Sequence, residues 1–408
     1  MPAHLGAQRP IGLGYWPLPG DDPGVAVQRE DIRIVTPDRA LVRGVLWTPP
    51  VGTPTKRTAV ILSHPRGDFS VHYACPLLAA QGYATLGFGT RYMNNDIDCL
   101  HEVCTTDVEA VVTYLKDVRG FDAVVLLGNS GGGSLMALAH TMKGVGDGWI
   151  GMAAHPGEGM FMGKVIDPSV ADESDPMSTV PELDMYNPDN GWRPWPHPCH
   201  YDREWLASYR AAQVARVARI DAIAKTALAE AATAGERLRT AGLGSSATVD
   251  VRSDVDMRTY RDLRATAVSM KYLTIYRTLA DPAYLDLSID PDDRPMGSLF
   301  ASPDPLDANF GRGGLARTMT ARGWLSTWST LSSHARLAET MPGVAIPTLI
   351  IHPTADTEIR IHEALEIRDA SGADDLTYVE MKDALHYLEG DRPEAIDHVV
   401  VWLASRFP

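Results

Sequence analysis

Between residues 25 and 155, short apolar runs alternate with segments in which apolar residues recur at helical spacing. A continuous apolar run bounded by glycine or polar residues is typical of a strand that is buried on both faces of a sheet. Four such runs occupy residues 58–63, 83–88, 124–127 and 149–154. Strands that alternate with helices in this way predict an α/β fold, with a mostly parallel sheet flanked by helices.

Local sequence patterns in this region also predict two antiparallel strands and two helices. Residues 25–47 alternate apolar and polar positions on either side of Thr36–Arg39, which predicts two antiparallel strands joined by a turn. A helix is expected over residues 71–81. The sequence Thr106–Glu109 has the spacing of a capping box, so we expect a second helix to begin there and to end near Val118.

The alternation stops at residue 156 and resumes only after residue 340. Residues 156–340, called the insertion below, contain no apolar run that predicts a buried strand. Helical patterns lie near residues 202–240, 257–279 and 324–337, between segments rich in proline, aspartate and glycine. Because long insertions of this kind usually pack over a functional site, we expect the insertion to form a mainly helical cap.

After the insertion the α/β alternation returns. Residues 346–352 and 376–381 are predicted strands, the first followed by a helix from residue 361 and the second by a closing helix over 393–407. The sequence therefore predicts three parts. They are an N-terminal arm of residues 1–24, a core of residues 25–155 and 341–408, and a cap of residues 156–340 inserted before the strand at 346–352.

The composition restricts the class of protein. The 408 residues carry a net charge of −15 without a run of lysine or arginine, which argues against nucleic acid or an anionic membrane as a partner. The N-terminal residues lack a basic segment followed by an apolar run, and no apolar stretch reaches the length of a membrane span. Four cysteines in a chain of this length favour reduced thiols, so a cytoplasmic location is predicted.

The most informative motif follows the apolar run that ends at Leu127. Residues 128–132 read Gly-Asn-Ser-Gly-Gly, which fits the pattern G-x-S-x-G, and a helical apolar pattern follows. A serine between a strand and a helix is typical of a nucleophile elbow, where a strained turn requires small neighbours. The N-terminus of the following helix also directs N–H groups at the serine. We therefore predict that Ser130 is a nucleophile.

A serine hydroxyl reacts only when a base takes its proton and a third group orients that base. Asp356 follows shortly after the predicted strand at 346–352, and His386 follows shortly after the strand at 376–381. The order serine, acid, histidine is the one found in α/β hydrolases. Glu358 is a close alternative to Asp356 as the acid.

Together the elbow, the two strand-end residues and the strand pattern resemble the α/β-hydrolase superfamily over residues 25–155 and 341–408. The resemblance implies a triad of Ser130, Asp356 and His386 and an oxyanion hole made by two backbone N–H groups. One should belong to Gly131, and the other to Arg66 by its place in the loop after residues 58–63. That loop reads His-Pro-Arg-Gly where related enzymes carry a His-Gly-x-Gly type of sequence, so Gly67 remains an alternative to Arg66.

Two further residues are candidates for binding the substrate. Glu158 follows the strand end at 149–154 and is expected near the mouth of the site, although a surface carboxylate is the more common role. Trp324 of the insertion is the other candidate. The Arg66 side chain could bind a substrate carboxylate or extend into solvent.

Neither a metal nor a cofactor is expected. The histidine- and cysteine-containing segments 99–104 and 197–200 lack the paired C-x-x-C spacing of a zinc site. The glycines 131–133 are not followed by the lysine of a phosphate-binding loop, which argues against a nucleotide.

The resemblance implies hydrolysis of a carboxylic ester through an acyl-enzyme on Ser130, and the aromatic and methionine residues of the insertion favour a bulky, partly apolar organic substrate. Cleavage of an amide or carbon–carbon bond by the same triad, or acyl transfer to another acceptor, remain alternatives. A non-catalytic binding protein with this fold is a further alternative. The arm and the long helical segment 202–240 offer surfaces that would suit a homodimer.

Overall fold

Strands in the described parts of the chain form one large sheet and one small sheet. The computed structural model describes residues 14–93, 95–243, 256–298, 302–311 and 313–407, so the first part of the predicted arm, residues 1–13, lies outside the described residues. In chain order the strands are β1 (Gln28–Val35), β2 (Leu41–Thr48), β3 (Thr58–Leu62), β4 (Ala84–Gly89), β5 (Ala123–Asn129), β6 (Gly148–Met152), β7 (Tyr272–Thr274), β8 (Thr318–Thr320), β9 (Thr348–Pro353) and β10 (Leu376–Met381).

Helices lie between the strands of the large sheet and throughout the insertion. They are α1 (Ala74–Ala80), α2 (His101–Thr113), α3 (Gly131–Lys143), α4 (Glu158–Val165), α5 (Arg203–Thr240), α6 (Met257–Val268), α7 (Pro305–Phe310), α8 (Ala321–Gly323), α9 (Leu337–Thr340), α10 (Ile361–Asp369) and α11 (Arg392–Arg406). Short π-helical turns, Tyr114–Val118 and Trp324–Trp328, continue α2 and α8. No helix in the described ranges is both long and apolar enough to cross a membrane.

The large sheet has the strand order β1-β2-β4-β3-β5-β6-β9-β10. Strand β2 is antiparallel to β1 and β4, and the strands from β4 to β10 in this order are parallel to one another. The predicted mostly parallel sheet is therefore confirmed. Because parallel strands end at the same edge, the loops after β3, β5, β6, β9 and β10 meet at one side of the molecule.

The core lies on both faces of this sheet. Successive side chains of a strand point to opposite faces, so each central strand contributes to two clusters. Leu126, Trp149 and Ile350 pack in the cluster that also contains residues of α2 and α3. Their neighbours Leu127, Ile150 and Leu349 pack in the cluster that contains residues of α1 and α11.

Helix α2 begins five residues earlier than the capping box predicts. Its first residue is His101, whose backbone N–H donates to the Ser326 hydroxyl at 2.9 Å, and the predicted cap Thr106 lies inside the helix. The prediction was wrong because the cap is supplied by a residue 225 positions away, which local spacing does not indicate.

The insertion differs in part from the expected pattern. The long helix predicted over 202–240 is confirmed as α5, but the helix predicted over 257–279 ends at Val268. Strand β7 follows and pairs antiparallel with β8, a two-stranded sheet that the sequence does not predict; Leu273 and Met319 are buried at the centres of these short strands, and most of their other residues are exposed. The helix predicted over 324–337 is also wrong beyond Trp328, where the chain is irregular until α9. Residues 244–255, 299–301 and 312 lie outside the described residues.

Candidate active site

Ser130 stands between β5 and α3 in a strained backbone conformation, with φ 55° and ψ −128°. Its backbone N–H donates to the carbonyl oxygen of Met152 at the end of β6, at 3.1 Å. The glycines on either side are required by space. A Cβ on Gly128 would lie 2.4 Å from backbone atoms of Gly132 and Gly133, and a Cβ on Gly132 would lie 2.3 Å from the carbonyl oxygen of Ser63. This is the predicted elbow geometry.

Three predicted residues meet at the edge of the sheet. The Ser130 Oγ lies 3.0 Å from His386 Nε2, and His386 Nδ1 lies 2.7 Å from Asp356 Oδ2. The other oxygen of Asp356 accepts the backbone N–H groups of Glu358 and Ile359, at 2.7 and 3.0 Å. These bonds fix the carboxylate, which in turn fixes the imidazole with its free nitrogen toward the serine.

Glu358 faces the opposite nitrogen of the same histidine. Its Oε1 lies 3.6 Å from His386 Nε2, and its Oε2 lies 3.0 Å from Nε2 of His155. All three side chains are buried. The structure therefore brings Asp356, and not Glu358, to the nitrogen that points away from Ser130.

The two carboxylates control the charge of the histidine. Burial opposes protonation of the His386 ring, but Asp356 and Glu358 outweigh it and raise the pKa of His386 to about 9. Burial likewise opposes ionisation of Asp356, and the neighbouring His386 nevertheless keeps the pKa of Asp356 below its usual value.

This group also has the chemistry of metal ligands. The ligand atoms of His155, Glu358 and His386 all lie within 4.8 Å of one another in the described part of the chain. A cation held by them would take the His386 nitrogen that faces Ser130 Oγ. His386 Nε2 cannot bind a cation and accept the Ser130 proton at the same time. The strained elbow at Ser130 favours the second use.

The predicted oxyanion donors are arranged differently from the expectation. Gly131 begins α3, so its backbone N–H is one of the unpaired groups at a helix N-terminus. The N–H groups of both Arg66 and Gly67 donate to Nδ1 of His64, each at 3.2 Å. Because Nδ1 accepts these bonds, the ring carries its proton on Nε2. A Cβ on Gly131 would lie 2.8 Å from that Nε2, so a side-chain N–H group lies beside the elbow as well.

Glu158 lies at the start of α4, directly over the elbow. Its carboxylate is 1% exposed, and a Cβ on Gly131 would lie 2.6 Å from its Oε1. That oxygen is 3.3 Å from Arg66 Nε and 3.6 Å from His64 Nε2, while Oε2 has no described hydrogen-bond partner. Burial opposes ionisation, but Arg66 and His64 lower the pKa of Glu158 to about 2, so the residue is an anion.

The Arg66 side chain is mostly buried and does not simply extend into solvent, and its part in binding a substrate carboxylate stays a prediction. Besides Glu158 it contacts Asp96 at 3.5 Å, and its guanidinium lies over the Trp328 ring, 4.6 Å from the ring centre. A pocket of about 450 Å³ opens beside the arginine and is lined by Arg66, Asp96 and residues 314–319. Arg66 thus contacts Glu158 and also lines this pocket.

Trp324 lies inside the insertion. Its ring is fully buried in a cluster with Phe161, Met162 and Ile220, and its indole N–H donates to Asp221 at 2.7 Å. The described contacts are those of a packing residue, and its predicted part in binding a substrate stays a prediction.

Tyr15 is the residue of this site that the sequence does not indicate. It belongs to the arm, yet its hydroxyl lies 3.4 Å from His386 Nε2, the nitrogen that also faces Ser130 Oγ. An aromatic residue in a segment rich in proline and glycine carries no motif, so only the folded structure reveals this placement.

Comparison with known proteins gives similarity at the level of structure. No family model matches the sequence, and no curated protein is similar to it. A hypothetical protein of Pseudomonas aeruginosa is 13% identical, with 98% of this chain and 99% of that protein covered and a TM-score of 0.50. The α/β hydrolase GrgF of Penicillium sp. sh18 is 12% identical, with 93% and 99% covered and a TM-score of 0.48.

At these identities the likeness concerns the fold alone. The fold can also be identified from the chain itself, because the sheet has a mostly parallel order with an antiparallel β2 and because a strained serine stands between its strand β5 and helix α3. Both features agree with the resemblance seen in the sequence. The chain therefore has the α/β-hydrolase fold.

Proposed function

We propose that the protein is a serine hydrolase that cleaves carboxylic esters through an acyl-enzyme on Ser130. The observation that carries the proposal is the chain of contacts from Ser130 Oγ to His386 Nε2, at 3.0 Å, and from His386 Nδ1 to Asp356, at 2.7 Å. A hydroxyl, a base and an orienting carboxylate in this order are the parts that nucleophilic catalysis by serine requires.

The proposed reaction has two halves. Ser130 attacks the ester carbonyl while His386 takes its proton, and the alcohol leaves with that proton as the acyl-enzyme forms. Water then attacks the acyl-enzyme, again with His386 as the base, and Ser130 is released. Asp356 stabilises the imidazolium during both halves.

The negative oxygen of the intermediate needs two donors. We assign the backbone N–H of Gly131 as the first, as the sequence predicts. The backbone N–H of Arg66 would have to leave His64 Nδ1 to serve as the second. We therefore assign the second donation to the Nε2–H of His64, a neutral ring because burial lowers the pKa of His64 to about 3.

The substrate is proposed to be a small-molecule carboxylic ester. The pocket beside Arg66 is the proposed entrance, since the arginine lines this pocket and contacts the carboxylate over the elbow. An ester is favoured over an amide because an alkoxide leaves with less assistance than an amine. Four further points stay predictions from the sequence. They are a bulky, partly apolar substrate, the absence of nucleic-acid and membrane partners, a homodimer and a cytoplasmic location.

A fluorophosphonate probe tests this proposal, because it labels only an activated serine. We expect the wild type to be labelled, Ser130→Ala to lose labelling, and Ser134→Ala to keep it, since Ser134 is a buried serine of the same helix whose hydroxyl donates to Gly131 O. Hydrolysis of p-nitrophenyl esters, matched amides and β-diketones would then separate the ester reaction from the amide and carbon–carbon alternatives. Labelling that persists in Ser130→Ala would contradict the proposal.

A further inference from the structure

We propose that the hydroxyl of Tyr15 is a further catalytic group, which donates a hydrogen bond to the leaving-group oxygen as the ester bond breaks. The inference rests on the proposed ester hydrolysis and adds to it a residue from the N-terminal arm, outside the serine, histidine and carboxylate set.

The position of the hydroxyl supports this role. It lies 3.4 Å from His386 Nε2, the nitrogen that Ser130 Oγ also faces at 3.0 Å, so it stands beside the atoms between which the proton moves. The oxygen of the leaving alcohol must approach His386 Nε2 in order to take its proton. A donor within reach of that nitrogen therefore stands beside the leaving-group oxygen, whereas the carbonyl oxygen is directed toward Gly131 N–H.

The phenol is built to act as a donor. Burial, together with Tyr387 and Glu358, raises the pKa of Tyr15 well above its usual value. The hydroxyl therefore keeps its proton at neutral pH. A neutral donor stabilises a developing alkoxide without adding a charge to the site.

The arm holds this side chain rigidly. The backbone N–H of Tyr73 donates to Tyr15 O at 2.9 Å, and the ring stacks on His72 with 5.3 Å between ring centres. The buried Arg392 donates to the carbonyl oxygens of Gly14 and Trp16, on either side of the tyrosine. Catalysis by hydrogen bonding depends on such preorganisation, because a fixed donor needs no rearrangement when charge develops.

The step balances without any further reactant. When the tetrahedral intermediate collapses, the bond between carbon and the leaving oxygen breaks and its electron pair passes to that oxygen. His386 Nε2 gives the oxygen its proton, and the O–H bond of Tyr15 stays intact throughout. An alkoxide of a simple alcohol carries more charge at this point than p-nitrophenolate, so it depends more on the donor.

The test is the dependence of Tyr15→Phe on the leaving group. We expect kcat/KM for an ethyl ester to fall roughly tenfold to a hundredfold, and kcat/KM for the p-nitrophenyl ester of the same acid to fall much less. Tyr83→Phe is the matched control, because it removes a buried phenol whose oxygen accepts Lys56 Nζ at 2.9 Å, away from the site. An equal loss on both esters, or no loss, would overturn the inference.

Labelling separates this inference from the proposed function. Tyr15→Phe should still react with the fluorophosphonate at Ser130, which shows that the variant is folded and its nucleophile activated. If the wild type is labelled and hydrolyses both esters while the ratio of their kcat/KM values is unchanged in Tyr15→Phe, only the role of Tyr15 is wrong. If the wild type neither reacts with the probe nor hydrolyses either ester, the proposed function is wrong and the role of Tyr15 is wrong with it.

Discussion

Glu358 lies on the reactive side of His386, with its Oε1 3.6 Å from the Nε2 that also faces Ser130. Asp356 holds the other nitrogen at 2.7 Å, so the imidazole stands between two buried carboxylates. Both anions favour the imidazolium and together raise the pKa of His386 to about 9 against the effect of burial. A protonated histidine cannot take the serine proton, and Glu358 therefore limits the base at neutral pH.

The pH dependence of activity should report this arrangement. With a pKa of about 9, roughly one His386 ring in a hundred is neutral at pH 7, so kcat/KM should rise with pH until it passes that pKa. Removing the charge in Glu358→Gln takes away one of the two anions and lowers the pKa of His386. We expect the rise of kcat/KM to move to lower pH and the rate at pH 7 to increase.

A pH profile of kcat/KM for wild type and variant measures this shift. Glu230→Gln, on the exposed side of α5, makes the same change in net charge far from the histidine and should leave the profile in place. An unchanged midpoint in Glu358→Gln would show that Asp356 alone sets the titration of His386.

Glu158 should make the site selective for charge. Its Oε1 is paired with Arg66, but its Oε2 has no described hydrogen-bond partner although the residue is buried. A buried carboxylate oxygen of this kind is stabilised by a charged donor. We therefore expect Glu158→Gln to lower kcat/KM for an ester with an ammonium group in its acyl part roughly tenfold relative to a neutral ester of the same shape, or ~1.4 kcal/mol.

Because both esters are measured in the same variant, a change that affects the whole site cancels in the ratio of their kcat/KM values. Glu230→Gln is the control, because it removes an exposed carboxylate of α5 that does not line the pocket beside Arg66. It should change the rates of both esters alike. A Glu158→Gln variant that also affects the two esters equally would assign the carboxylate to positioning Arg66 and not to the substrate.

The sheet and the meeting of Ser130, Asp356 and His386 could be predicted because both depend on local pattern. Buried parallel strands are continuous apolar runs, and each of the three residues follows the end of such a run. The choice between Asp356 and Glu358 was harder, because both follow β9 and only their side-chain directions separate them.

Features that depend on distant contacts could not be predicted. Tyr15 reaches the site through a contact 371 positions along the chain, and the start of α2 depends on Ser326, 225 positions away. The backbone N–H groups of Arg66 and Gly67 donate to the His64 ring of the same loop, and the sequence of this loop does not indicate these bonds. In the insertion, the helix predicted over 324–337 stops after the π-helical turn in which Trp324 and Trp328 are buried, and its spacing does not indicate this stop.

Substitution by alanine should change the free energy of unfolding in opposite directions at Gly128 and at Gly235. At Gly128 a methyl group would lie 2.4 Å from backbone atoms that cannot move aside, so Gly128→Ala should lower the free energy of unfolding by roughly 1–3 kcal/mol or more and abolish labelling of Ser130. Gly235 lies within α5, and the nearest atom to its methyl position is Ala267 Cβ at 4.0 Å. Gly235→Ala should therefore raise the free energy of unfolding by about 1 kcal/mol. Denaturant unfolding of both variants measures these changes, and a stabilised Gly128→Ala would contradict the elbow geometry.

The cap on α2 couples the insertion to the core. The Ser326 hydroxyl accepts the His101 N–H at 2.9 Å and donates to the Glu102 carboxylate, so it satisfies one of the unpaired groups at the helix N-terminus. Ser326→Ala should lower the free energy of unfolding by about 1 kcal/mol and speed hydrogen exchange at the His101 amide.

Ser208→Ala provides a control of opposite sign. Ser208 is exposed within α5, and its hydroxyl donates to the carbonyl oxygen of Glu204, so replacement by alanine removes no helix cap and favours the helix slightly. If Ser326→Ala leaves both the unfolding free energy and the exchange of the His101 amide unchanged, water replaces the hydroxyl and the start of α2 does not depend on the insertion. A loss in both measurements would mean that contact with the insertion holds this end of α2 in place, beside the loop that carries Asp96.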